Sequence, residues 1–91
     1  CYLAMRGLRS MGVRLERHQQ SALEVANWLK GRNEVERVLN PMLEDDPGHA
    51  LWKRDMTGGC GLFSIMLKPC PQAALAAMMD GMELFHMGYS W

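Results

Sequence analysis

AMRGLRSMGVRLERHQQSALEVANWLKG, residues 4–31, governs how the rest of the chain is read. Within it Leu8, Met11, Leu15, His18, Ala22, Val25 and Leu29 recur at alternating intervals of three and four, which lays them along one helix face. The spacing predicts one helix from Ala4 to Lys30, about 40 Å long at roughly 1.5 Å per residue. Gly31 supplies its stop, and Lys30 and Arg32 suit the negative end of the helix dipole. A helix of that length is more than a globule of 91 residues can cover, so it is expected to be a strut joining two bodies. On periodicity alone, the same stripe equally suits a non-catalytic interaction module that docks or dimerises through the helix.

Downstream, Val35 to Leu39 reads as a short strand closed by Asn40-Pro41. Leu43 to Asp46 is acidic, Pro47-Gly48 turns the chain, and His49 to Arg54 reads as a short helix ended by Thr57-Gly58-Gly59. Gly61 to Lys68 is apolar on both faces, which predicts a central strand. Pro71 is placed to open a helix running to Asp80, with Gly81 as its stop. Met82 to Tyr89 then reads as a third strand, with Leu84, His86 and Gly88 on one face and Glu83, Phe85 and Met87 on the other. The expected fold class is α/β: a long linking helix over residues 1–31, and over 32–91 part of a small domain in which helices pack on a short sheet.

Ten basic residues balance ten acidic ones, which gives no charge argument for nucleic acid or an anionic membrane. No apolar run approaches the roughly 20 residues that span a bilayer. The three cysteines, Cys1, Cys60 and Cys70, have neither zinc-knuckle nor disulfide-framework spacing and read as free thiols of a reducing compartment. The nine methionines are read as adaptable core filling. Cys1 stands where an initiator methionine would, and Trp91 follows an apolar run, so both ends are expected to be cuts in a longer chain.

No residue reads as a nucleophile. His18 lies on the apolar seam and is expected to be a buried, hydrogen-bonded histidine; His49 begins a helix; His86 is expected half-buried on a strand. Three histidines so scattered make no metal site by spacing. Arg6, Arg9, Arg14 and Arg17 read as a solvated face or an interface. Thr57-Gly58-Gly59-Cys60-Gly61 lacks the Gly-Lys-Ser/Thr ending of a phosphate loop and precedes a strand. Lys30, Lys53 and Lys68 all sit in charged or terminal settings, whereas a Schiff-base lysine must be desolvated.

Four strings add a resemblance: YLAMRGLRSM (2–11), RLERHQ (14–19), GHALWKRD (48–55) and GLFS (61–64). Together they resemble the C-terminal part of the transsulfuration family of pyridoxal-phosphate enzymes. Leu51 to Asp55 and the closing Tyr89-Ser90-Trp91 favour the branch that cleaves cystathionine by β-elimination over the γ-lyases, γ-synthases and methionine γ-lyases. Ser10, Met11 and Met56 depart mildly from the family's threonine, leucine and phenylalanine.

The resemblance implies a fold-type I enzyme with a large cofactor domain upstream, pyridoxal 5′-phosphate as electron sink, and homocysteine, pyruvate and ammonia as products. It implies that Tyr89, Ser90 and Trp91 bind the substrate near its carboxylate, where an indole N–H can donate to an anion. The Schiff-base lysine would precede Cys1 and a carboxylate-binding arginine would follow Trp91, so these 91 residues alone are expected to be inactive, with no catalytic, cofactor-binding or metal-ligating residue of their own. A cytoplasmic dimer of dimers is implied for the whole protein.

Overall fold

The computed structural model describes residues 1–88. Six elements follow one another: α1 (Tyr2–Arg9), α2 (Met11–Lys30), β1 (Val35–Leu39), α3 (His49–Asp55), β2 (Ser64–Leu67) and α4 (Gln72–Asp80). The expected single helix is therefore two, interrupted at Ser10, whose backbone sits at φ −107° and ψ 3°. Gly7, Ser10 and Gly12 fall within six residues, and each lowers helix propensity. Gly31 does end α2, its N–H donating to the last-turn carbonyls.

Strands β1 and β2 form an antiparallel pair in which Val35 faces Leu67, Val38 faces Ile65 and Leu39 faces Ser64, with an irregularity between Val35 and Arg37. The Lys68 N–H extends the ladder to the Glu34 carbonyl at 2.9 Å. The C-terminal half of α2 lies against β1. There Ala26, Val38 and Leu43 make a small buried core, edged by Leu23, Leu29, Val35, Phe63 and Ile65. Two alanines, Ala22 and Ala26, are the buried residues of α2, and Ala26 lies in the core beside Val38. Just past β1, Asn40 is buried and folds into an Asx turn, its Oδ1 accepting the Met42 N–H at 3.0 Å.

The helical stripe is largely uncovered: Leu8, Met11 and Leu15 are exposed, Val25 remains 37% exposed, and Ala22 is its buried member. Four expectations need correction. His18, expected in the core, is exposed, because the sheet reaches only the last three turns of α2. The second strand begins at Ser64, not Gly61, and pairs along one edge alone, so it is not central among the described residues. Finally, residues 82–88 form no strand and lie exposed, His86 included. Neither alternate face of that stretch is continuously apolar, so neither half offers a side to lay on a core. Pro71 also stands just before α4 as its N-cap rather than inside it.

The chain is open. A compact monomer of 10.3 kDa would expose about 5,400 Å², whereas this one exposes 8014 Å². Its radius of gyration is 15.8 Å, against about 12 Å for a compact domain of this length. Much of the excess is apolar: Leu3, Leu62, Leu84 and Phe85 each expose more than two-thirds of their surface.

Candidate functional site

Tyr89, Ser90 and Trp91, the residues expected to contact substrate, lie outside the described residues. What the structure shows is the framework before them, in two places.

The first is the loop from Met56 to Gly61, which is held from both sides. The α3 residue Trp52, part of the Leu51 to Asp55 string, donates its indole Nε1–H to the Gly58 carbonyl at 3.1 Å. Its ring also rests on the imidazole of His49, with centroids 5.4 Å apart, and the His49 Nδ1 lies 3.0 Å from the Pro41 carbonyl. From α2, the Gln19 Oε1 accepts the Gly59 N–H at 2.7 Å across 40 residues of sequence. A side chain added at either glycine would have to displace one of its neighbours. A Cβ on Gly58 would come within 2.8 Å of Gln19 Oε1, and one on Gly59 would overlap the Met42 side chain. The Thr57-Gly58-Gly59-Cys60-Gly61 stretch thus joins α2, α3 and the approach to β2, with Gly58 and Gly59 half-buried and Thr57, Cys60 and Gly61 exposed.

The second is a cleft of about 710 Å³ between the end of α2, β2 and α4. Trp28, Leu29, Ile65, Leu67, Leu75 and Met78 supply its apolar wall, and Arg32, Glu34 and Lys68 its charged rim. Arg32 lies over the Trp28 ring, 5.4 Å from its centroid, and pairs with Glu34 at 3.2 Å. A backbone hydrogen bond, and then the Arg32 charge, hold the Glu34 carboxyl below its usual range.

Neither place fits pyridoxal phosphate. Lys30 is exposed and paired with Asp45 at 2.8 Å, which draws the Asp45 carboxyl below its usual range through that hydrogen bond. Lys53 and Lys68 are also exposed. None of the three lysines is desolvated as an imine-forming amine must be. The thiols of Cys1, Cys60 and Cys70 are free and exposed. Among the described residues no group of three or more His, Cys, Asp or Glu side chains could hold a metal ion, and no helix is long and apolar enough to cross a membrane.

The described residues thus present an antiparallel pair backed by α2 and a glycine junction held by Trp52 and Gln19. The chain belongs to the Cys/Met metabolism PLP-dependent enzymes, whose family model matches residues 1–91.

Individual relatives sharpen the comparison. The chain is 50% identical over 91 residues to cystathionine beta-lyase of Salmonella typhimurium, an alignment covering 99% of this chain and 23% of that protein. It is also 45% identical over 94 residues to the L-alanine/L-glutamate racemase of Wolbachia pipientis, covering 100% and 23%. Among solved structures it superposes on cystathionine gamma synthase from Xanthomonas oryzae in complex with cystathionine, with a TM-score of 0.89 and 37% identity over 98% of this chain and 23% of that one. The chain spans about a quarter of the length of these relatives. Its helices and two-stranded sheet are accordingly those of a segment of the fold-type I pyridoxal-phosphate enzymes.

Proposed function

We propose that this chain is part of a pyridoxal-phosphate-dependent carbon–sulfur lyase that cleaves L-cystathionine with water by β-elimination to homocysteine, pyruvate and ammonia. The single observation that supports it most is 50% identity, sustained over essentially the whole chain, to a cystathionine beta-lyase. In this reading residues 1–31 link two bodies and residues 32–91 are part of the small C-terminal domain. The exposed Leu8, Met11 and Leu15 are consistent with that, since a linking helix presents apolar surface to a body beyond this segment. Tyr89, Ser90 and Trp91 carry the substrate contacts. The cofactor and its lysine belong to the remaining three-quarters of the parent, which works as a cytoplasmic dimer of dimers on a small amino-acid substrate.

A second reading keeps the family and changes the reaction. The racemase relative is nearly as similar over the same residues, so this segment supports the framework more strongly than it supports one chemistry. The whole protein, incubated with L-cystathionine, is expected to release pyruvate. Release of 2-oxobutyrate instead points to cleavage on the γ side. A racemised amino acid without carbon–sulfur cleavage moves the protein to the racemase reading.

A further inference from the structure

The interruption at Ser10 is more than a break in a helix. Arg14, one turn on, donates its Nη2–H to the Gly7 carbonyl at 2.7 Å and its Nε–H to the Ser10 Oγ at 3.1 Å. The Ser10 hydroxyl in turn donates to the same Gly7 carbonyl at 3.4 Å. One guanidinium therefore spans the junction, touching α1 with one donor and the connecting residue with another. No comparable bond is made by Arg6, Arg9 or Arg17 among the described residues, although all four were expected to form a solvated face or an interface.

Besides the backbone and the Ser10 hydroxyl, Arg14 is the one hydrogen-bonded tether from α2 to α1 among the described residues. Among the described residues α1 packs against no element but α2, and it buries none of its own residues. Gly7 and Gly12 flank the junction, where backbone freedom is greatest and helix propensity least. A kink at such a glycine and serine cluster has a recognised local cause. A forked, permanently charged donor is suited to hold it at one setting.

We propose that Ser10 is a joint in the linking helix and that Arg14 is the positioning residue that sets it, so that the direction in which α1 leaves α2 is governed by one side chain. This rests on the linking-helix part of the reading above and not on its chemistry. Where two bodies are joined by a helix, the setting of such a joint fixes how they face each other.

Amide hydrogen exchange of the whole protein tests this without turnover. In Arg14→Met, which keeps the apolar stem and loses the fork, amides 8–14 are expected to exchange about tenfold faster, the scale of losing hydrogen bonds from a charged donor. Amides 22–30 should keep their rate. Arg14→Lys, a point donor able to serve one acceptor, should fall between and is the milder variant if Arg14→Met does not fold. Unchanged exchange at 8–14 would overturn the proposal. So would an acceleration spread equally over 22–30, which marks general destabilisation rather than a joint. Because pyruvate release is a separate measurement, failure of the lyase reading leaves this result standing, and the reverse.

Discussion

Ala26 is where the helix meets the sheet, and enlarging it should separate the two. Its side chain has no exposed surface and lies in the same small core as Val38 of β1 and Leu43. Ala26→Leu adds three carbons to a position with no room, and they can be housed only if α2 moves off β1 or if Val38 and Leu43 leave their rotamers. Overpacking of this kind costs about 1–3 kcal/mol, or roughly a 5- to 150-fold change in a local opening equilibrium. Hydrogen exchange of the β1 amides in the whole protein reads that equilibrium directly. The control is Val25→Ala on the same turn, at a position 37% exposed, where the expected change is within about 0.5 kcal/mol. If Ala26→Leu leaves β1 protection no different from Val25→Ala, the helix–sheet contact is not what holds this segment together.

Other outcomes follow from the same geometry. Gly59→Ala should lower the melting temperature, at a cost of about 1–3 kcal/mol, because its Cβ overlaps Met42; pairing it with Met42→Ala should restore much of the loss, and absence of rescue would place the strain elsewhere. The Asp45 carboxyl is held below its usual 3.8 in the folded chain by the hydrogen bond from Lys30. Its stabilisation is therefore present above the unfolded value and lost as pH falls through the lower folded one. A urea midpoint followed downward from pH 6 should fall below about pH 4, and Asp45→Asn should flatten that fall slightly; a steeper fall in Asp45→Asn would contradict the assignment. The 91-residue chain, mixed with pyridoxal phosphate and reduced with borohydride, should give no single stoichiometric adduct by mass spectrometry, since Lys30, Lys53 and Lys68 are all exposed. One adduct per chain on one lysine would overturn that.

Local signals in the sequence were legible where one residue type had one structural use. β1 spans Val35 to Leu39 as its β-branched pattern and the Asn40-Pro41 stop imply, His49 opens α3, and Gly31 and Gly81 end their helices. The four family strings were legible as well, and they identify the family that the whole chain matches. Less legible was which way an amphipathic surface faces. The three-four stripe predicts a buried His18, yet the core meets α2 at Ala26, flanked by Leu23 and Leu29, and of the stripe Ala22 alone is buried. Periodicity states that a helix has an apolar face; it carries no information on how far along that face a partner extends.

The sequence by itself determined β1, the helix stops at Gly31 and Gly81 and the membership of a pyridoxal-phosphate family, because capping residues, turn formers and family strings act over a few neighbours or are read as identity. Only the tertiary structure decided that Gln19 and Trp52 converge on Gly58 and Gly59, that α2 buries alanines rather than its larger residues, and that β2 pairs with β1 alone among the described residues. These depend on contacts between residues up to 40 positions apart. Such contacts form only where the folded backbone brings two small or complementary groups within hydrogen-bond or van der Waals reach, a condition no local pattern encodes.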